Sequence, residues 1–262
     1  MPFNQVNDIR YFYFDLLQLP GLIHGVFTRR GGISPEPWAS LNLGGTVGDS
    51  QQNVIENRDR IFSVVNRSVD TLYDVWQVHG AKVICADEPR FMDSLPEKAD
   101  AILADYIGVT LMMRFADCVP ILLYDPSNRV VGMVHAGWVG TVKKVVGAAV
   151  KGMQERYGAS SSDLLVGIGP SIGPDHYNVG EDVVNKVEQA FGDFAPSLLA
   201  YRNGKVYFNL WEANRYILEQ SGVANVEVAG ICTACHLEDW YSHRGEGGKT
   251  GRFGAIIALE EL

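Results

Sequence analysis

Three short segments each place a potential metal ligand at one end of an apolar run. The segments are Gln77-Val78-His79-Gly80, Ala116-Asp117-Cys118-Val119-Pro120 and Val134-His135-Ala136-Gly137-Trp138. If two imidazoles and one thiolate converge from separate strand ends, they form a three-ligand zinc site with an open fourth position, as catalytic zinc requires. The sequence therefore predicts that His79, Cys118 and His135 are metal ligands and catalytic residues.

The ligand types alone leave two metals open. One thiolate and two imidazoles suit zinc, and they also suit copper in a trigonal electron-transfer site with a long axial methionine. A multicopper oxidase needs a trinuclear cluster built largely from histidines, and the six histidines of this chain cannot supply the full set. We predict zinc, because a zinc-bound water with a pKa of about 7 supplies hydroxide at neutral pH, and we keep Cu²⁺ as the alternative.

Other interpretations of the same residues stay open. Taken singly, Cys118 is typical of a small buried hydrophobe and His135 of a hydrogen-bonded structural side chain. Their types also fit a metal-independent Cys-His hydrolase, with Cys118 as nucleophile and His135 as base. The three similar settings, each a ligand beside a small or rigid residue at a strand end, favour one common site.

The turn after His135 has the composition of an anion pocket. Gly137 and Gly140 flank Trp138 and lead into a helix that we expect to begin near Thr141. Free backbone N–H groups and the positive end of a helix dipole favour a phosphate at such a point. Glycine is also common in plain packing turns, so both interpretations stay open.

A second cysteine motif, Cys232-Thr233-Ala234-Cys235-His236, lies late in the chain. Its spacing matches haem attachment, a redox pair or one half of a zinc site. Haem attachment normally accompanies export, whereas the first ten residues lack the pattern of a signal peptide. No second C-x-x-C is present to complete a zinc site, so the sequence favours none of these roles.

Apolar runs and helical periodicity predict the elements that must position these residues. Short runs bounded by Gly, Pro or Asp predict strands at residues 22–28, 72–78, 82–86, 109–114, 121–124, 129–135, 164–167, 226–229 and 255–259. Periodicity predicts helices at 53–65, 141–157, 181–191 and 209–221, the last with Asn209 as N-cap and Glu212 in a capping box. Several strands follow one another directly, which favours a layered α/β (α+β) sandwich with mixed sheets over a doubly wound fold. No linker divides the chain, so we expect a single domain over residues 1–262.

Composition narrows the partners and the compartment. The formal net charge is −9 and no basic stripe is present, so nucleic acid is not an expected partner. No apolar run approaches the roughly 20 residues that a membrane span needs, so a membrane is not expected either. Without a signal-peptide pattern the expected compartment is the cytoplasm. The four cysteines are then expected to be thiols or ligands rather than disulfides.

Ten short motifs are spread along nearly the whole chain. They are FTRRGGIS at 27–34, SLNLG at 40–44, NR at 57–58, QVHG at 77–80, DCVPIL at 117–122, HAGW at 135–138, GPSIG at 169–173, YNVG at 177–180, CT at 232–233 and TGR at 250–252. Together they resemble the YfiH-type laccase-domain family, whose members were once called multicopper polyphenol oxidases and are now described as purine nucleoside phosphorylases. The set as a whole is specific, although no single motif would be.

The resemblance implies a four-layer α-β-β-α sandwich and a zinc ion held by His79, Cys118 and His135. It implies phosphorolysis of adenosine, inosine, guanosine and S-methyl-5′-thioadenosine to the free base and ribose 1-phosphate, with adenosine deamination at the same site. A purine nucleoside and phosphate are then the small-molecule partners, and the oligomeric state is left open. Members of the family have also been described as copper-dependent phenol oxidases and as peptidoglycan-editing factors. Peptidoglycan precursors are therefore the substrates of the alternative Cys-His hydrolase.

Five residues are expected to bind the substrates. They are Arg58, Gln77, Gly137, Thr141 and Arg252. Among them, Arg58 and the turn at 137–141 are expected to hold phosphate.

Three positions differ from the pattern that is common in the family. Val139 stands where Arg is frequent, Asn178 stands where Glu is frequent, and Ser242-His243-Arg244-Gly245 stands where Ser-Tyr-Arg-Arg is frequent. If the missing Arg at position 139 binds phosphate in other members, His243 and Arg244 are the residues that could compensate.

Overall fold

A computed structural model of the protein describes residues 2–91 and 94–261. The strands of these residues are β1 (Phe3–Val6), β2 (Ile9–Phe12), β3 (Leu22–Phe27), β4 (Leu72–Tyr73), β5 (Val83–Cys85), β6 (Ala101–Ala104), β7 (Thr110–Phe115), β8 (Val119–Asp125), β9 (Val130–Ala136), β10 (Leu165–Ile168), β11 (Asn178–Val179), β12 (Leu199–Arg202), β13 (Lys205–Phe208), β14 (Asn225–Val228) and β15 (Phe253–Leu259). The helices are α1 (Gln51–Val64), α2 (Trp138–Val142), α3 (Val145–Tyr157), α4 (Glu181–Phe191), α5 (Ala195–Leu198) and α6 (Leu210–Gln220). Short 3-10 turns lie at Asp15–Leu17, Val69–Thr71, Ser161–Asp163 and Gly192–Phe194.

Three sheets organise the strands. The first has the order β1-β2-β3-β15-β7-β4, the second β14-β10-β8-β9-β6-β5 and the third β11-β13-β12. Most neighbours are antiparallel, and the parallel pairs are β4 with β7, β5 with β6 and β10 with β14. The predicted α+β class with mixed sheets is therefore confirmed.

The central strands are buried on both faces, and each face joins a different apolar cluster. Leu122 and Met133 of the second sheet share a cluster with Met113 and Ile257 of the first. The opposite face of the second sheet packs on α3, α4 and α6, and the opposite face of the first sheet packs on α1. Continuous apolar runs such as β8 and β9 are expected for strands covered on both sides. The four-layer order itself stays a prediction, which this distribution of apolar contacts supports.

The structure contains strands at all nine predicted positions, but one prediction is largely wrong. Within the predicted run 72–78 only β4 is a strand, and Trp76 makes an isolated bridge to Lys98. Six strands were not predicted: β1, β2, β6, β11, β12 and β13. For β6 the reason is its composition, because two of its four residues are alanines, which have little intrinsic preference for strands.

The predicted helix 141–157 is wrong at its start and in its continuity. It begins at Trp138 with Gly137 as N-cap, and it is interrupted where Lys144 adopts φ +58°, a left-handed conformation that ends α2 before α3 starts. The N-cap prediction for α6 is confirmed, since the Asn209 side chain accepts a hydrogen bond from the Glu212 N–H at 3.1 Å. Among the described residues, no helix has the length and hydropathy that crossing a membrane requires.

A buried asparagine of α1 shapes the glycine-rich loop that precedes the helix. Asn57 is fully buried, and its amide group hydrogen-bonds to the loop at Ile33, Ser34, Ser40 and Asn42, over 2.9 to 3.2 Å. Asn42 in turn binds both Gly44 and the N–H of Arg252. This network therefore ties α1 to two segments that reach the candidate site.

We expect Asn57→Ala to lower the free energy of unfolding by about 1–3 kcal/mol, because it leaves buried backbone groups of the loop without partners. Denaturant unfolding measures the change. Gln52→Ala is the matched control, since Gln52 is exposed on the same helix, and it should leave stability within about 0.5 kcal/mol of the wild type. Equal stability of the two variants would contradict this role of Asn57.

Candidate active site

The register of the second sheet brings the three predicted ligands together. Cys118 directly precedes β8 and His135 lies near the end of β9, and the two strands pair with Pro120 opposite His135. His79 lies in the loop between β4 and β5, and β5 is joined to β9 through β6. One ligand atom from each residue lies within 4.8 Å of the others. The convergence expected from the sequence is thus present in the fold.

Asp100 anchors both histidines from a fully buried position at the start of β6. Its carboxylate accepts hydrogen bonds from the backbone N–H groups of Val78, His79 and Gly80, at 3.2, 2.9 and 2.6 Å. The Nδ1 atom of His135 lies 2.8 Å from the same carboxylate. A histidine that donates Nδ1–H to a carboxylate presents Nε2 as the free ligand atom, which is the usual outer support of a metal-bound histidine.

Gly137 leaves room for the ligand cluster. A Cβ atom at this position would lie 2.8 Å from Cys118 Sγ and 3.1 Å from His79 Cδ2, closer than real Cβ contacts. The backbone of Gly137 is extended, with φ −73°, so the reason for glycine here is space and not backbone conformation. The thiolate and two imidazoles around this space fit zinc or copper by donor type.

The thiol and the buried imidazole also perturb each other. Burial of Cys118 disfavours its thiolate, but the charge of His135 and hydrogen bonds from both histidines outweigh this and lower the pKa of Cys118 to about 6. Burial disfavours the charged form of His135, but Cys118 and Asp100 outweigh it and raise the pKa of His135 to about 9. Without a metal, the pair is therefore a thiolate beside an imidazolium at neutral pH.

Asp117 fixes the backbone next to the thiol. This residue has φ +82°, and its carboxylate accepts hydrogen bonds from Thr233 and Ser242, both at 2.7 Å, and from the Arg244 N–H at 2.6 Å. All three partners belong to the segment before β15. Cys118 is therefore held from one side by the strand β8 and from the other by the C-terminal segment.

The three ligands line a cavity of about 710 Å³ whose wall is rich in arginine. The charged side chains of the wall are Arg58, Arg90, Arg114, Arg244, Arg252, Asp74 and Asp117. Five cations against two anions make this cavity positive in a chain whose net charge is −9. A charged cleft of this kind concentrates ligands of the opposite sign.

Asp74 pairs with two of the five cavity arginines, and Arg58 is not one of them. The Asp74 carboxylate lies 2.7 Å from Arg90 and 2.9 Å from Arg114. In the described part of the chain, the guanidinium of Arg58 has one hydrogen bond, to the Leu43 carbonyl at 3.3 Å, and its buried Nε has no partner. Burial, with the charge of Arg114, lowers the pKa of Arg58 to about 10, so it is still a cation at neutral pH. Its free N–H groups can therefore donate to an anion in the cavity.

The substrate-binding predictions fall into three groups in the structure. Arg58, Gln77 and Arg252 line the cavity. Gly137 lies against Cys118 instead, as described above. Thr141 is fully buried in α2, where its hydroxyl accepts a hydrogen bond from Asn214, and it is not among the residues of the cavity wall. Because α2 has only five residues, the structure does not supply the long helix from which an anion pocket was expected.

The positions that depart from the family pattern have identifiable surroundings. His243 and Arg244 both line the cavity, whereas Val139 does not. The Arg244 guanidinium donates to the backbone and side-chain oxygens of Asn178, at 2.9 and 2.8 Å, and lies over the Tyr177 ring. Asn178 thus positions an arginine at the cavity wall.

Several residues of the site were missed by sequence reasoning. Asp100, Asp74 and Arg114 are all charged residues next to or within apolar segments. Arg114, inside the apolar strand β7, is the clearest such signal, because a buried strand rarely carries a charge without a partner. Their partners, however, are distant in sequence, so the roles could not be assigned from the pattern alone.

Comparisons with known proteins identify relatives of the whole chain. A family model described as multi-copper polyphenol oxidoreductase laccase matches residues 23–260. The purine nucleoside phosphorylase of Deinococcus radiodurans is 37% identical over 247 residues, which cover 93% of this chain and 92% of the relative. The crystal structures of YlmD from Geobacillus stearothermophilus and of the hypothetical protein YfiH from Bacillus licheniformis both superpose with a TM-score of 0.91. Their identities are 34% and 29%, and each comparison covers 99% of both chains.

We expect Gly137→Ala to weaken zinc binding by at least about tenfold, because the new methyl group competes with Cys118 Sγ for space and displaces a ligand. Competition with a chromophoric chelator measures the affinity. Gly45→Ala is the control, since a Cβ atom there meets nothing within 4 Å. Unchanged affinity in Gly137→Ala would show that this residue does not shape the site.

Proposed function

The chain belongs to the multi-copper polyphenol oxidoreductase laccase family, and from this we propose that it is a zinc-dependent purine nucleoside phosphorylase. The observation that carries the proposal is the position of His79, Cys118 and His135 on the wall of an arginine-rich cavity. A metal site and an anion site then share one space. Relatives that cover more than 90% of the chain and are named purine nucleoside phosphorylases support the same activity.

The donor set supports zinc as the metal. His79 is exposed, Cys118 is half-buried and His135 is buried, so the three donors reach from the protein interior to the open cavity. Three protein donors with solvent on the fourth side is the arrangement of catalytic zinc. A zinc ion held by these three residues would supply Lewis acidity at the cavity. Asp100 keeps the Nδ1 proton of His135 and so leaves Nε2 to the metal.

The arginines support phosphate as the second substrate. Phosphorolysis breaks the bond between the purine nitrogen and C1′ and forms a bond from a phosphate oxygen to C1′. Arg58, which lines the cavity and makes one hydrogen bond to the described protein, is the proposed principal contact, and Arg114 and Arg252 lie on the same wall. These cations would neutralise the charge of the bound phosphate and orient it toward C1′. Positioning and charge stabilisation are the main contributions of a protein to such a transfer.

Aromatic side chains at the cavity support a nucleoside as the first substrate. Trp76, Trp138 and Tyr177 line the wall, and the Trp76 side chain is 50% exposed. A flat ring at a cavity wall offers a stacking face to a purine. Gln77 fixes the loop next to Trp76 to the strand β7. Its side-chain amide donates to the Arg114 carbonyl and accepts from the Arg114 N–H.

Adenosine, inosine, guanosine and S-methyl-5′-thioadenosine are the proposed nucleosides. Adenosine deamination is proposed for the same cavity: water attacks C6 of the purine, the bond from C6 to the amino nitrogen breaks, and ammonia and inosine are the products. The cavity volume of about 710 Å³ is within the range of small-molecule sites. The protein is further proposed to form one domain over residues 1–262. It is also proposed to be cytoplasmic, in keeping with four cysteines that form no disulfide.

One observation favours a second candidate, the Cys-His hydrolase. In the metal-free site, Cys118, His135 and Asp100 form a thiolate, an imidazolium and an orienting carboxylate in series. A nucleophile, a base and an orienting acid in this order can act without a metal. Metal-independent turnover of a peptidoglycan precursor, with covalent trapping at Cys118, would establish this candidate in place of the phosphorylase. Copper-dependent oxidation of a phenol would establish the oxidase.

We expect the purified protein to release adenine from adenosine only when phosphate is present, and Cys118→Ala to lose that activity together with its zinc. Elemental analysis and chromatography of the products measure both quantities. Cys85→Ser is the control, because Cys85 is a thiol of β5 outside the cavity wall, and it should keep zinc and activity. Adenosine turnover that is independent of phosphate, or full activity in Cys118→Ala, would contradict the phosphorylase proposal.

We expect Arg58→Gln to raise KM for phosphate by about 10- to 100-fold, because a hydrogen bond to a charged group contributes about 1.5–3 kcal/mol. KM for the nucleoside should change much less. Arg60→Gln is the matched control on the same helix, where Arg60 pairs with Glu56 at the surface. Arg58→Lys should restore part of the phosphate affinity. A KM for phosphate that is unchanged in Arg58→Gln would remove Arg58 from the phosphate site.

A further inference from the structure

A second group of metal-ligand side chains lies outside the cavity wall. It consists of Asp175, His176, Cys232 and Cys235, whose ligand atoms all lie within 4.8 Å of one another. We propose that these four residues bind a structural zinc ion that fastens the loop before β11 to the C-terminal segment. This site shares no ligand with the set formed by His79, Cys118 and His135.

The distances within the cluster are close to those between the ligands of a tetrahedral zinc site. The Nδ1 atom of His176 lies 3.7 Å from Cys232 Sγ, 3.4 Å from Cys235 Sγ and 3.1 Å from an Asp175 oxygen. That oxygen is 3.6 Å from Cys235 Sγ. Ligands bound at about 2.0–2.3 Å in a tetrahedron are separated by about 3.3–3.8 Å. The three distances to sulfur fall in this range, the distance of 3.1 Å is slightly shorter, and all ligand atoms lie within 4.8 Å of one another.

The backbone around Cys232 also suits a metal-bound thiolate. The Gly173 N–H donates a hydrogen bond to Cys232 Sγ at 3.1 Å, and a thiolate that binds a metal is commonly stabilised by such outer donors. A Cβ atom on Gly173 would lie 2.6 Å from an Asp175 oxygen and 3.1 Å from Cys232 Sγ. As at Gly137, a glycine leaves room for a group of ligands to converge.

The fold supplies the half of the site that the sequence lacks. The C-x-x-C spacing of Cys232 and Cys235 provides two thiolates, and no second C-x-x-C is present in the chain. The pairing of Ser171 with Cys232 brings the loop that carries His176 alongside this motif. Two thiolates, an imidazole and a carboxylate, four ligands in all, form a closed set, which is the rule for structural zinc and leaves no position for a substrate.

The proposed ion would stabilise one wall of the cavity. Tyr177 follows His176 directly, and Arg244, on the C-terminal segment, lies over its ring. Thr233 follows Cys232 and donates to Asp117, the neighbour of Cys118. A link between the two segments at 175–176 and 232–235 would therefore limit the motion of residues that line the cavity.

Zinc content of variants tests this site separately from the first. The wild type, reduced and loaded with zinc and then freed of excess metal, should hold about two zinc ions per chain. Cys235→Ala and His176→Ala should each hold about one, because both side chains are exposed and their loss leaves the core intact. Cys118→Ala should also hold about one, and Cys118→Ala with Cys235→Ala about none. Cys85→Ser should keep two.

X-ray absorption identifies the site that remains. In Cys118→Ala the zinc should have two sulfur neighbours at about 2.3 Å, whereas in Cys235→Ala it should have one. Removal of zinc with a chelator should lower the Tm of the wild type by more than that of Cys235→Ala, which lacks the second ion, while phosphate-dependent turnover reports on the first site. A Cys118→Ala variant that holds no zinc, equal zinc in Cys235→Ala and the wild type, or a Cys232–Cys235 disulfide in the zinc-loaded protein would overturn the proposal.

Discussion

The buried carboxylate of Asp100 is the constraint on which the candidate active site depends. It receives three backbone N–H groups from the turn at 78–80 and the Nδ1 atom of His135, so two ligands from separate segments share one anchor. A buried charge is tolerated only when such partners are present, because its desolvation otherwise costs several kcal/mol. The turn and the imidazole therefore cannot move apart without leaving that charge unpaired. This coupling holds the metal ligands in place before any metal binds.

The charge of the protein and the charge of its cavity have opposite signs. The chain carries a net charge of −9, while the cavity wall carries five arginines and two aspartates. Asp74 makes this possible, because it pairs with Arg90 and Arg114 and so reduces their mutual repulsion. Arg58 has no carboxylate partner, and its buried Nε atom has no hydrogen bond within the described part of the chain. A buried cation kept without a carboxylate partner is typical of a site that receives an anion.

The segment from Cys232 to Arg252 connects the two groups of potential metal ligands. Asp117 receives hydrogen bonds from Thr233, Ser242 and Arg244 on this segment, and Cys118 follows Asp117 directly. The proposed structural ion would hold the start of the same segment. The Cys118 thiol would then depend on two supports, the strand β8 on one side and a cross-linked loop region on the other.

The sequence by itself determined the local features of this protein. Apolar runs predicted strands that the structure contains, Asn209 predicted the start of α6, and His79, Cys118 and His135 were recognisable because each ends or precedes an apolar run. These signals lie within a few residues of the feature that they predict. The burial of Thr141 and the partners of Asp100, Asp74 and His176 were decided by the tertiary structure. These partners lie far along the chain, such as residue 135 for Asp100 or residues 232 and 235 for His176. Sheet register and packing bring such partners together. A local pattern of residues does not show which distant residues will become neighbours in the folded structure.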